Sequence, residues 1–240
     1  MTLLARGAMI TAMAKDPSWH GRLRIEGYVA WWSGSVGDTV LHRHFAAQAV
    51  FSDTPVALLD GNGARVEGRC LLIEPDAPHR LLPSAAAELC YVEPTVAFGP
   101  PDTLRARIPA NARIVPGGRE SCFWESWMVR AAPPEMDRRI ETVLNAIDKL
   151  LPLGAVRLAD VGWHTPLSTG RLRHLFSSET GMPFQRYILW RRMRVAFERL
   201  LGGSDITAAA HDAGFADAAH FARTIKATFG IRAGDIFRTS

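Results

Sequence analysis

The sequence predicts an α+β fold of two domains, an antiparallel double-sheet β-barrel followed by an all-α domain, and three observations carry that expectation. From Leu23 to about Val96, short apolar runs are broken by Gly, Asp, Asn and Pro at intervals of roughly ten residues, the rhythm of short strands joined by tight turns. After Pro133-Pro134 the apolar residues switch to helical spacing and keep it to the C-terminus. The double proline separates the two patterns, so residues 1–132 are expected to form one domain and residues 133–240 the other.

The expected strands are "RIEGYVAWW", "AVFSDTPVALLD", "ARVEGRCLLIEP", "HRLLP" and "AELCYVEP". Between the second and third, "DGNG" (Asp60 to Gly63) is a hairpin signal. The stretch from Gly99 to Arg130, with its Pro-rich start and "CFWESW", reads as irregular chain with some helix that bridges the two halves.

Composition bounds the function. With 48% hydrophobic and 22% charged residues the chain is an ordinary globular one. It has no run of about 18 uncharged apolar residues to span a bilayer, and "MTLLARGAMITAMAKDPSW" does not read as a secretory leader. A soluble, cytoplasmic protein with a loose first segment is expected, without a membrane partner. Cys70, Cys90 and Cys122 are widely spaced and form no CxxC, which argues against a disulfide framework and a thiolate zinc site. Residues 1–134 hold 13 Lys+Arg against 13 Asp+Glu, and residues 135–240 hold 15 against 11, so the net charge of +4 lies wholly in the second part. That bias is compatible with a polyanionic partner.

The helical half opens with "EMDRRIETVLNAIDKLL", where Ile140, Val143, Leu144 and Ile147 share a face. Two later segments share a design. In "VRLADVGWHTPLSTGRLRHLFSSETG" a short helix carrying Leu158 and Val161 ends near Gly162, and a second starts after Ser168, a good N-cap, burying Leu172, Leu175 and Phe176. In "SDITAAAHDAGFADAAHFARTIKATFG" a helix from about Ile206 to His211 stops by Gly214, and Asp217 caps a helix that buries Phe221 and Ile225. Both read as helix-turn-helix units. Between them Pro183 to Leu201 reads as one helix with Leu189, Met193, Ala196, Phe197 and Leu200 on a stripe. It would be roughly 28 Å long, near the roughly 34 Å turn of duplex DNA, and so could hold two reading helices in successive major-groove faces.

"RLRHLFSSETGMPFQRYI" and "AAAHDAGFADAAHFARTIKATFGI" resemble the two signature blocks of the AraC/XylS family of bacterial transcription regulators, over about 100 residues. The resemblance implies a seven-helix DNA-binding domain with two helix-turn-helix units joined by a long helix. Ala233 stands where the family usually has proline. It further implies that Ser168, Thr169, Gly170, Arg171, Arg173 and His174 of the first unit face DNA, together with Asp217, Ala218, Ala219, His220, Ala222, Arg223 and Lys226 of the second. The residue chemistry divides them. Arg173 can pair with guanine O6 and N7, and Arg171 and His174 can reach bases or phosphates, while the alanines offer only methyl contacts. The first unit is therefore expected to discriminate sequence, and the second to clamp the backbone through Arg223 and Lys226.

In the N-terminal half, "GDTVLHRHFAAQAVF" reads as a strand. If so, His42, His44 and Gln48 face one way. With His79 in "PDAPH" the pattern resembles the metal arrangement of cupins, small double-sheet barrels. Gln48 stands where metal-binding members usually have Glu, so a neutral amide replaces a negative ligand. Three imidazoles alone suit zinc, nickel, copper or iron. Three readings stay open: a metal or metal-assisted sensor, a metal-free pocket for a small-molecule effector, and hydrogen-bonded histidines that support the barrel. A metal-dependent cupin enzyme with a helical interaction or oligomerisation tail is the alternative from another class. It is disfavoured because no general acid or base pair accompanies the imidazoles.

The expected protein is thus a non-enzymatic regulator whose partners are double-stranded DNA, an effector, a second copy of itself, and RNA polymerase if it activates. Trp31, Trp32 and Tyr91 read as core or pocket wall, and Phe123 to Trp127 as core or an interaction surface. Cys70 and Cys90 read as small core residues, and His20, His164 and His211 carry no role.

Overall fold

The structure, a computed structural model, describes residues 18–27, 29–93, 114–116 and 136–236. The Pro133-Pro134 boundary, Cys122, the Phe123 to Trp127 segment and most of the N-terminal segment lie outside the described residues.

The N-terminal half is an antiparallel sheet of seven strands: β1 (His20–Glu26), β2 (Val29–Val36), β3 (Ala47–Asp60), β4 (Arg65–Ile73), β5 (His79–Leu81), β6 (Ser84–Val92) and β7 (Ile114–Pro116). The order is β1-β2-β6-β3-β4-β7, with β5 paired to the far half of β3. "RIEGYVAWW" is two strands where one is expected: Glu26 pairs with Val29 across a two-residue connection, in which Gly27 has a φ of 56°. Such hairpin turns need positive φ, which glycine adopts without steric cost. Three-residue β7 pairs with β4 inside the stretch expected to be irregular; it is too short to carry a period-two pattern.

β3 organises this half. Its first part lies between β4 and β6, with Gln48 opposite Ile73 on one side and Tyr91 on the other. A register shift between Phe51 and Val56 bends it, and its second part pairs with β5. Alternation splits the side chains into two faces. Trp32, Val50, Leu71, Ile73 and Leu89 fill one, and Ala49, Phe51, Cys70, Leu72 and Cys90 the other. Burial pushes the Cys90 thiol up to about 12, as for an inert core residue.

Among the described residues seven α-helices follow: α1 (Arg138–Leu150), α2 (Leu158–Gly162), α3 (Thr169–Thr180), α4 (Phe184–Leu201), α5 (Ile206–Asp212), α6 (Ala218–Phe229) and α7 (Ala233–Ile236). Side chains cap four of the starts: Asp137, Ser168, Asp205 and Asp217 each accept a backbone N–H two or three residues on. α3 and α6 end at Gly181 and Gly230, both left-handed. α1 buries Ile140, Val143, Ala146 and Ile147, with Leu144 at the edge.

Two cores share α4. Its first half packs Phe184, Tyr187 and Ile188 with α1 to α3, around Leu172 and Phe176. Its second half packs Met193 and Ala196 with Phe215, Phe221, Ile225 and Phe229 of the second helix pair, in a core continuous with the sheet face that holds Trp32 and Leu89. The sheet is therefore packed against the second helix pair. None of the described helices is long and apolar enough to cross a membrane.

Candidate functional site

The histidine group forms without the strand expected for it. Residues 37–46 have no strand, and β3 begins only at Ala47, so alternation along one strand does not bring the residues together. His42 is instead held by an isolated bridge to His79: His42 N donates to His79 O at 3.0 Å and His79 N donates to His42 O at 2.9 Å. The chain bends at Phe45 and Ala46 before entering β3 at Gln48's end. Long-range backbone pairing thus does what alternation does not.

All four residues are buried. One nitrogen from each of His42, His44 and His79 lies within 4.8 Å of the others. Each ring's Nδ1 sits 2.9 Å from a backbone carbonyl, of Val40, Ala46 and Ala77 respectively. A carbonyl can only accept, so each Nδ1 carries the proton. Burial, reinforced by the neighbouring histidines for His42 and His79, lowers all three pKa values, that of His42 to about 3. Neutral rings protonated at Nδ1 expose lone pairs at Nε2.

Gln48 meets those lone pairs. Its Oε1 is 3.0 Å from both His44 Nε2 and His79 Nε2, and its Nε2 donates to the Tyr91 hydroxyl at 3.2 Å. Three acceptors facing one another repel unless a positive centre lies among them or the amide is reversed. Reversed, its two N–H groups serve both histidines and its oxygen accepts from Tyr91. The residues fit a metal on the first arrangement: three imidazole nitrogens and one amide oxygen, with each imidazole oriented by a carbonyl. Burial raises the Tyr91 pKa, so the phenol stays neutral and supplies no negative charge.

The residues expected to face DNA fall on two helix starts and outer faces. On α3, Thr169, Gly170, Arg171, Arg173 and His174 are exposed, as is its cap Ser168. On α6, Ala219, Arg223 and Lys226 are exposed with the cap Asp217, whereas Ala218, His220 and Ala222 are half-buried. The His220 ring packs edge-on against Phe215 at 5.3 Å. Among the described residues the side chains of Arg171, Arg173, Arg223 and Lys226 make no hydrogen bond or ion pair. Their like charges, set on two helices joined by α4 of about 27 Å, make a surface for a polyanion. Arg223 also lines a cleft with Arg43, His44 and Asp76 of the sheet half.

Some contacts had no sequence signal. Trp163, 75% exposed, stacks on His164 at the turn of the first pair. Glu93 at the end of β6 is buried and accepts from Trp190 Nε1 at 3.0 Å and Arg194 Nη1 at 2.7 Å, tying the sheet to α4. Phe229 packs against His44 and Tyr91. Residues this distant in sequence leave no local pattern to read.

Comparison with known proteins agrees with this layout. The helix-turn-helix domain family HTH_18 matches residues 164–239. The transcriptional activator RhrA of Rhizobium meliloti (strain 1021) is 28% identical over 103 residues, 42% of this chain and 32% of that protein. The chain thus spans about a third of the length of that curated relative. Over nearly the whole chain the fold is similar to ToxT from Vibrio cholerae O395, with a TM-score of 0.57 at 12% identity, covering 90% of this chain and 100% of ToxT. A structure of unsaturated fatty acid bound ToxT from Vibrio cholerae matches with a TM-score of 0.52 at 12% identity, over 85% and 92% of the two chains.

Proposed function

From the premise that the chain belongs to the AraC/XylS family of transcription regulators, we propose that it is a sequence-specific DNA-binding regulator whose N-terminal sheet, a cupin-like barrel, senses an effector. This reading takes residues 1–132 as the sensor domain and residues 133–240 as the DNA-binding domain. The observation that carries this reading is the pair of capped helices, α3 and α6, that present uncommitted cations at the two ends of one rigid helix. α2-α3 and α5-α6 are its two helix-turn-helix units. Ser168, Thr169, Gly170, Arg171, Arg173 and His174 contact one groove segment, and Asp217, Ala218, Ala219, His220, Ala222, Arg223 and Lys226 the next. A second copy of the chain and, for an activator, RNA polymerase are the further partners this reading implies.

The effector reading supported best is a divalent transition metal, zinc, nickel, copper or iron, held by His42, His44 and His79 with Gln48 Oε1. Three buried imidazoles that bring one nitrogen each within 4.8 Å of one another support it, each with its Nδ1 turned to a backbone carbonyl and its Nε2 lone pair left to ligate. Bound there, the metal supplies a crosslink. His42 and His44 lie in the segment before β3 and His79 opens β5, so these residues would reinforce the backbone bridge that already joins the two segments. The neutral donor set suits borderline metals over hard, oxygen-seeking ones.

DNA titrations at several salt concentrations test the main reading. Affinity for duplex DNA should fall steeply with salt, and selection from a random duplex pool should return one defined motif. Absence of both would remove the regulator reading. Metal content of protein purified without chelators tests the effector. Under 0.1 equivalent of any transition metal, with no gain in heat stability on adding one, would overturn it.

A further inference from the structure

We propose that the DNA-binding surface continues from α6 onto the sheet half, where Arg43, with Arg186 of α4 and Arg223 of α6, holds the sugar-phosphate strand that flanks the second reading helix. The site is an open cleft of about 520 Å³, lined by Arg43 and Asp76 from the sheet half, Arg186 and Trp190 from α4, and Arg223 and Thr228 from α6. For its partner this inference rests on the regulator reading.

Charge draws an anion to this cleft. His44 also lines it, and burial keeps that ring neutral, so the charged groups are three guanidiniums against one carboxylate. All three arginines are exposed. Among the described residues the side chains of Arg186 and Arg223 make no hydrogen bond or ion pair. Arg43 faces Asp76 at 3.7 Å with both side chains well exposed, a pair worth little in water and easily exchanged for a phosphate. The planar guanidinium presents paired donors that match phosphate oxygens.

Position favours DNA over a free anion. Arg223 belongs both to the cleft and to the exposed face of α6 that carries Ala219 and Lys226. At about 100° per residue, Lys226 stands about 60° to one side of Arg223, and the cleft residues Ala227 and Thr224 about 40° and 100° to the other. With Arg223 directed at the groove, the cleft lies along one flank of α6. A helix in the major groove has a phosphate strand along each flank. Arg186 sits in the first turn of α4, the helix that joins the two units, where a strand leaving one groove segment for the next passes.

The sheet half then adds to DNA affinity directly, besides holding an effector. Phosphate contacts carry no sequence information, so Arg43 and Arg186 strengthen binding without changing the motif.

Full-length protein is titrated with a duplex carrying its selected motif and with a scrambled duplex, each at several salt concentrations. Arg43→Ala and Arg186→Ala are each expected to reduce the salt slope by about one and to weaken both duplexes alike, by roughly fivefold near physiological salt. Arg43→Lys, which keeps the charge, should retain the slope. Arg69→Ala, which removes an exposed arginine of β4 outside the cleft, should leave it unchanged. An unchanged slope in Arg43→Ala overturns the proposal, as does an equal loss in Arg69→Ala, which reduces the effect to net charge. Inorganic pyrophosphate, titrated into DNA-free protein by calorimetry, is expected not to bind. Saturable binding that Arg186→Ala removes assigns the cleft to a free anion and overturns the proposal as well. The wild-type titration keeps the two readings apart. No DNA binding at all sinks the regulator reading and this one with it, whereas salt-dependent DNA binding that keeps its full slope in Arg43→Ala sinks this one alone.

Discussion

The backbone N–H of Val40 donates to the carbonyl of Gly230 at 3.0 Å, which joins the segment leading into His42 to the residue that ends α6. Around that bond the fit is tight. Gly230 has a φ of 71°, and a Cβ on it would lie 2.6 Å from both His42 Nδ1 and the Val40 carbonyl. Phe229 beside it packs on His44 and Tyr91. The histidine group and the C-terminal end of α6 are thus in direct contact.

Gly230→Ala is expected to be costly on two counts, left-handed strain and collision with His42. Equilibrium unfolding should show a loss of more than about 1 kcal/mol. Because His42 must give way, metal affinity measured against a competing chelator should fall as well. A neutral outcome in both would mean that the two halves do not hold each other here.

Gln48→Glu replaces a neutral donor with a negative one beside three imidazoles. Metal affinity is expected to rise at least about tenfold, in line with a charged ligand on a hard or borderline ion. Gln48→Leu should lower metal affinity and leave His44 and His79 without their shared partner, at about 1–3 kcal/mol of stability. Competition titration and thermal unfolding check the pair.

The pH dependence of the metal-free protein has a defined sign. Unfolded imidazoles take up protons near pH 6.5, whereas the folded ones resist protonation further down, His42 until about 3. Between those values the unfolded state binds more protons, so stability rises with pH there, is complete above about 6.5, and is lost as pH falls. Each histidine adds a slope of up to about 1.4 kcal/mol per pH unit. Denaturant unfolding between pH 7 and pH 4 checks it; a flat profile would contradict the burial of these rings.

Arg173→Ala should cost about 1–3 kcal/mol of operator binding and relax base preference at one position. Arg223→Ala and Lys226→Ala should weaken all sequences alike and reduce the salt slope by about one each. The reverse pattern, with Arg223→Ala changing preference and Arg173→Ala not, would exchange the roles of the two helices.

Much of the helical half was legible because its signals are local. Ser168 and Asp217 sit before their helices, Gly214 follows α5 with positive φ, and the buried positions repeat at helical spacing. The strands were legible where turns are short and glycine-marked, as at Asp60 to Gly63. The fold of "RIEGYVAWW" back on itself was not, because a lone Gly27 inside an apolar run reads equally well as a strand interior.

The sequence by itself determined which residue types are available: three imidazoles and an amide near the N-terminal strands, and arginines on the outer faces of two capped helices. Local chemistry suffices for that, since caps, turns and periodicity act over a few residues. Only the tertiary structure decided how they are arranged. His42 reaches His79 through a bridge between segments 37 residues apart in number, not by alternation along one strand. Glu93 meets Trp190 and Arg194 across about a hundred residues of chain. Such contacts arise from burying apolar surface shared by the sheet and the second helix pair, a driving force without direction or sequence range.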